Sequence, residues 1–134
     1  MNYSLDTNIV VFYLRGQFDL KAKVNSIGLE NCFLSEIVVA ELRFGAEKSG
    51  RPAHHHRLVD ELAEQLEVVP IRASIPFFAQ EKARLQRLGT PIEDFDLLIG
   101  TTAVVNDWVM VTNNTAHFSR ISGIQLQDWA QHVS

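Results

Sequence analysis

The stretch Ile92–Val104, IEDFDLLIGTTAV, sets three carboxylates within four residues, Glu93, Asp94 and Asp96, against a nearly unbroken apolar run. The preceding Gly89-Thr90-Pro91 breaks the chain, so Glu93–Asn106 reads as a helix with the acids in its first turn. Acids there complement the helix macrodipole, which is reason enough for Glu93 and Asp94 as solvated residues. Asp96 is followed at once by Leu97, Leu98 and Ile99. A carboxylate carried toward a core is costly unless it is paired, protonated or bound to a cation.

Working outward, Trp108–Thr112 (WVMVT) reads as a buried strand, followed by a short turn or helix at Thr115–Arg120 and a last strand at Ile124–Leu126. Upstream, Ser74–Leu88 is amphipathic, with Ile75, Phe78, Leu85 and Leu88 on one face, and EVVPI (Glu67–Ile71) is a strand that Pro70 assigns to an edge or an end. Pro52–Leu66 carries Leu58, Leu62 and Leu66 at helical spacing. Asn31–Leu34 is strand-like, and Ser35 is a good cap for the helix EIVVAELRFGAEKSG. Phe18–Gly28 reads as a short helix. Tyr3–Leu5 is a first strand, after which Thr7 or Asn8 can cap a helix that Gly16 stops. Strands alternate with helices throughout. The expected fold is α/β, a mostly parallel central sheet flanked by helices. In such sheets reactive groups collect beyond the carboxyl ends of the strands, where strand order reverses.

The 134 residues suit one domain, 46% of them apolar and 21% charged. Nothing approaches the roughly 18 consecutive apolar residues of a membrane span. The N-terminus, MNYSLDTNIV, has no basic region or small-residue cleavage site, so no signal peptide is expected. Cys32 is the sole cysteine, which excludes an intrachain disulfide and fits a reducing cytoplasm. The net charge of −4 argues against a general basic coat for nucleic acid. It is compatible with an acidic site beside local basic patches.

Three acids sit in apolar sequence: Asp6 at the end of the first strand, Glu41 within VVAELRF, and Asp96. Singly, each has an ordinary reading: a strand-end turn or helix-cap residue for Asp6, a partly exposed helix residue for Glu41, a dipole partner for Asp96. Together in space they would repel, and either a proton on one of them or a divalent cation would offset the repulsion. Hard oxygen ligands suit Mg²⁺ or Mn²⁺.

Four blocks, LDTNIVVFYL, SEIVVAELRFG, TPIEDFDLLIGTTAV and VMVTNNTAHFSRI, resemble in that order the PIN domain, and especially the VapC-type toxins of bacterial toxin–antitoxin modules. The resemblance covers essentially the whole chain, 1–134, as a single PIN domain with its three-layer fold. It implies a Mg²⁺- or Mn²⁺-dependent ribonuclease that cleaves structured RNA such as tRNA, leaving 5′-phosphate and 3′-hydroxyl ends, and thereby inhibits translation and growth. Asp6, Glu41 and Asp96 would be the metal ligands. The fourth block, TNN, supplies Thr112 and Asn114. Asn114 is uncharged and is expected to orient a metal-bound water or phosphate. His117 stands before Phe118, where some members carry an acid; it reads as a turn residue or a phosphate contact. Thr7, Asn8, Ser35 and Thr112 are candidate donors around the acids, with plain helix capping equally open for Thr7 and Ser35. Asp96 could accept the proton of the attacking water.

The resemblance also implies a homodimer, a VapB-type antitoxin docking near the early helices, and a higher toxin–antitoxin assembly, with no membrane involved. Val10, Phe12, Tyr13 and Phe44 are the candidate contacts, since IVVFYL is apolar on every side. Arg43, Lys48, Arg51 and Arg57, with His54, His55 and His56 between them, form the densest basic stretch, and Lys82, Arg84 and Arg87 a second. Either could hold RNA or be a solvated helix face. Consecutive helical histidines point about 100° apart, so the three cannot share one ion. Two other readings differ in class. A phosphoacceptor receiver domain needs an acidic pair after the first strand and a lysine after the last, and no lysine follows Lys82. A catalytically silent PIN-like RNA- or protein-binding domain would not need all three acids.

Overall fold

The structure, a computed structural model, describes residues 1–131; the last three positions of the expected domain lie outside the described residues. Five strands form one sheet: β1 (Tyr3–Leu5), β2 (Cys32–Ser35), β3 (Glu67–Val69), β4 (Val109–Val111) and β5 (Gln125–Gln127). Their order is β3-β2-β1-β4-β5, and every pairing is parallel. Among the described residues, seven α-helices flank the sheet: α1 (Thr7–Leu14), α2 (Leu20–Ile27), α3 (Glu36–Glu47), α4 (Pro52–Gln65), α5 (Ile75–Arg87), α6 (Asp94–Val105) and α7 (Thr115–Phe118). The alternation of elements predicts this α/β layout of a parallel sheet flanked by helices, and it is the layout the resemblance implies. No helix among the described residues is long and apolar enough to cross a membrane.

The chain runs outward from β1 through β2 to β3, then returns to lay β4 on the other side of β1. The carboxyl ends of β1 and β4 therefore flank the point where strand order reverses, the place where open parallel sheets leave a crevice. β2 and β4 are buried along their whole length, as the apolar runs require, while β3 and β5 close the two edges. Pro70 lies just beyond edge strand β3, where its missing N–H costs nothing. The core joins Leu5, Leu34, Met110 and Val111 of the sheet to Ile9, Val10, Val38, Leu97 and Ile99 of the helices.

Several local readings shift. Asp6, not Thr7 or Asn8, occupies the N-cap of α1, because its Oδ1 accepts from the Thr7 N–H at 2.8 Å. Ser35 caps α3 as expected, its Oγ accepting from the Ile37 N–H. The second helix begins only at Leu20, since Phe18 and Asp19 take left-handed φ values of 58° and 53°. On α4, Leu62 is buried with Val59, and Leu58 is half-buried. On α5, Ile75 and Leu88 are exposed, because they lie at the helix ends and clear of the core. Glu81 and Leu85 are the buried residues of that helix. Burying a carboxylate is possible there because Arg84 grips Glu81 through two bonds, at 2.8 and 2.9 Å, and the Ser122 N–H donates a third at 2.6 Å.

Candidate active site

Asp6 follows β1 directly, and its N–H extends the ladder by donating to the Val111 carbonyl at 2.9 Å. The rigid sheet thus fixes where its carboxylate stands. Oδ2 accepts from the Thr112 hydroxyl at 2.8 Å. That hydroxyl also accepts from the Asn114 N–H at 3.0 Å, tying the TNN turn after β4 to the first acid. Thr7 does not cap its helix. Its hydroxyl donates to Glu41 Oε1 at 2.6 Å, which draws α3 toward the end of β1. Asp96, in the first turn of α6, completes the group.

Asp6, Thr7, Asn8, Glu41, Asp96, Asn114 and Phe118 line one cleft of about 120 Å³. Residues 6, 41, 96 and 114, widely separated along the chain, are brought to a single place. Thr112 stands behind them, against Asp6. Ser35 is fully buried and does not line the cleft; the contact it makes is the cap of α3. Glu93 and Asp94 are exposed, and Lys82 pairs with Asp94 at 2.9 Å.

Asp6 is 5% exposed. Burial, the largest cause, together with the nearby Asp96 and Glu41 carboxylates, pushes its carboxyl up to about 6 against the lowering by the Thr112 and Thr7 hydrogen bonds. An acid held this way gains from any cation that enters the cleft. The donors on offer are three carboxylates and the Asn114 amide oxygen, an all-oxygen set that matches Mg²⁺ or Mn²⁺. Among the described residues no three acids, histidines or cysteines close into a ready-made metal-gripping group. The wider spacing still fits a hard cation that keeps part of its water shell and takes only one or two carboxylates directly, as Mg²⁺ commonly does. Thiol chemistry has no place here, since Cys32 is buried and its thiol is pushed up to about 11, chiefly by burial.

The structure gives His117, read as a turn residue or a phosphate contact, two partners that the sequence did not name: it lies in α7 with its Nε2 3.2 Å from Asp96 Oδ2 and its Nδ1 2.7 Å from the Arg120 guanidinium. Arg120 drew no reading at all; the only trace in the sequence is its i, i+3 spacing from His117, which lets both share one end of α7. Of the basic residues, Arg43 pairs with Asp60 and contacts His56, Lys82 pairs with Asp94, and Arg84 with Glu81, so these side chains already hold elements together. Of the apolar contact candidates, Val10 is fully buried in the core, Phe12 and Tyr13 are half-buried, and Phe44 is exposed.

A family model described as PIN domain matches residues 3–124. The ribonuclease VapC2 of Rickettsia felis is 33% identical, with 96% of this chain and 98% of that protein covered. The tRNA(fMet)-specific endonuclease VapC of Salmonella typhimurium is 32% identical over the same shares of the two chains. Among solved structures, the DNA-bound VapBC of Salmonella typhimurium superposes with a TM-score of 0.90 at 32% identity, covering 96% of this chain and 98% of that one. The chain belongs to the PIN-domain family, and within it stands with the VapC proteins.

Proposed function

We propose that the chain, as one PIN domain over 1–134, is a divalent-metal-dependent endoribonuclease, the toxin of a toxin–antitoxin pair, acting on structured RNA such as tRNA. The observation that carries this reading is the gathering of Asp6, Glu41 and Asp96 in one cleft at the reversal point of a parallel sheet. Relatives named as ribonucleases and as a tRNA(fMet)-specific endonuclease support the substrate class.

Asp6, Glu41 and Asp96 would hold Mg²⁺ or Mn²⁺. When bound, such a cation acidifies its water and offsets charge on the scissile phosphodiester. Asp6 stays anionic and fixed through the Thr7 and Thr112 bonds. Thr7 orients Glu41 through Oε1. Asp96 Oδ2 is engaged by His117, which leaves Oδ1 to take the proton of the attacking water. The side chain of Asn114 makes no capping bond and lines the cleft, and it would orient water or phosphate there. Water adds to phosphorus, the P–O3′ bond breaks, the leaving O3′ takes a proton from solvent, and the products carry a 5′-phosphate and a 3′-hydroxyl.

A VapB-type antitoxin is the proposed partner, as in the VapBC neighbours. An apolar groove of Val11, Leu14, Leu42, Ala46, Leu58 and Val59 opens onto Glu41, and its volume of about 260 Å³ suits an amphipathic segment whose Arg or Lys reaches the acids. Exposed Phe44 lies on the same helix as Leu42. Dimerisation and a higher assembly with the antitoxin belong to the same proposal.

The test is Mn²⁺-dependent cleavage of purified tRNA by the parent and by Asp6→Asn. Cleavage by the parent alone is expected, and equal cleavage by Asp6→Asn overturns the reading. A parent that binds RNA but never cleaves it would instead indicate a silent binding domain.

A further inference from the structure

We propose that His117 and Arg120 form a positioning pair that locks Asp96: a neutral imidazole donates Nε2–H to Oδ2, and Arg120 holds Nδ1 as an acceptor. The proposal rests on the reading of Asp96 as a site carboxylate.

The chemistry of the contacts decides the tautomer. A guanidinium has five N–H donors and no acceptor. At 2.7 Å from the Arg120 guanidinium, Nδ1 must therefore be the acceptor and carries no proton. The ring's proton is then on Nε2, the nitrogen 3.2 Å from Asp96 Oδ2. Without Arg120 either nitrogen could be the protonated one, and only one choice gives Asp96 a donor.

Arg120 is itself immobilised. Its Nε donates to the His117 carbonyl at 3.1 Å, and one terminal nitrogen donates to the Thr90 and Pro91 carbonyls at 2.9 and 3.0 Å. Its own carbonyl accepts from Arg84 at 2.7 Å, and Arg84 is held by buried Glu81. Thr90 and Pro91 lead into α6, the helix that carries Asp96. One side chain thus sets both the approach of that helix and the proton of the imidazole that meets its acid. With Oδ2 committed, Asp96 offers Oδ1 to the cleft in one rotamer. Groups that orient a ligand in this way typically change metal affinity or activity by about 10- to 100-fold.

Three measurements on the full chain test this. In ¹⁵N–¹H imidazole spectra, with the His117 signals assigned by their loss in His117→Gln, a ring with its proton on Nε2 and none on Nδ1 is expected; an Nδ1–H ring, a ring protonated on both nitrogens or a rapid exchange of the tautomers overturns the proposal. In calorimetric titration with Mn²⁺ alone, His117→Leu should bind about 10-fold more weakly, and His117→Gln, whose amide nitrogen can still donate, should recover most of the loss. In cleavage of purified tRNA, His117→Leu should lower kcat about 10- to 100-fold with KM little changed, and His117→Gln should again recover. Unchanged Mn²⁺ binding and kcat in His117→Leu, or equal losses in Leu and Gln, overturn it. Failure of the parent to cleave tRNA would sink the proposed function, while the tautomer and the Mn²⁺ titration would still decide the positioning pair.

Discussion

Asp6 is the residue with the most at stake. Its backbone belongs to the sheet ladder, its Oδ1 caps α1, and its Oδ2 holds Thr112, so it cannot swing away from Asp96 and Glu41. The carboxyl pushed up to about 6, from 3.8, measures what this costs the metal-free fold, about 3 kcal/mol when fully ionised. Asp6→Asn removes the charge. The amide oxygen can keep the Thr7 bond, and the amide nitrogen can donate to the Thr112 hydroxyl. The variant is expected to lose cleavage and yet, in chelator, to melt higher than the parent at neutral pH; a lower melting point in chelator would show that the carboxylate is structurally required. Asn114 differs in kind, because it is exposed and uncharged and its fixed contact is through its backbone N–H. Asn114→Ala should slow cleavage by about 10- to 1000-fold with little effect on Mn²⁺ affinity, and Asn114→Asp should tighten Mn²⁺ binding. Loss of metal binding in Asn114→Ala as severe as in Asp6→Asn would make Asn114 a direct ligand.

At the scale of the element, α3 and α6 are the two helices that deliver acids, α6 from its first turn and α3 from its middle. α6 is buried over Leu97 and Ile99–Ala103, so its axis is fixed by the core and Asp96 emerges at its first turn. α3 starts at Ser35, where β2 ends, and Glu41 is carried one and a half turns along it. Ser35→Ala removes the cap and leaves the Ile37 N–H without its acceptor, which should cost about 1 kcal/mol of stability. Because Ser35 does not line the cleft, kcat and Mn²⁺ affinity of the folded variant should stay at parent values. A kcat loss without a stability loss would place Ser35 in the chemistry instead. The inner strands and the cap of α3 were legible because each depends on side chains with a local signature, apolar runs for β2 and β4 and a serine before a helix for α3, and an acid against leucines drew the eye to Asp96; the cap of α1 fell one residue ahead of its two candidates. The inward face of α5 was misread for the opposite reason. Glu81 is buried on the strength of Arg84 and a backbone N–H from Ser122, and a backbone partner far along the chain leaves no mark in the sequence. Arg120 escaped notice in the same way, since three of its acceptors are carbonyls.

For the molecule as a whole, Asp6 and Glu81 couple stability to pH with opposite signs. Asp6 titrates higher in the fold than in the open chain, so between about 6 and 3.8 the folded state binds more protons and stability rises as pH falls. Glu81 is held down to about 2 from 4.5, first by the Arg84 hydrogen bonds and against its own desolvation. Its stabilisation is present above 4.5 and is lost as pH falls toward 2. Together these two acids should therefore contribute most to the stability of the metal-free protein near pH 4 to 5. Thermal unfolding in chelator across pH 2.5 to 8 checks this, with each variant compared against the parent so that the remaining acids cancel. Asp6→Asn should flatten the limb above pH 4, and Glu81→Gln the limb below 4.5. Mg²⁺ should raise the melting temperature mainly above pH 6, where Asp6 is ionised and no proton competes with the cation. A Mg²⁺ effect that grows as the solution becomes more acidic would contradict the assignment of Asp6 as its ligand, because protonation of that carboxylate must weaken the site.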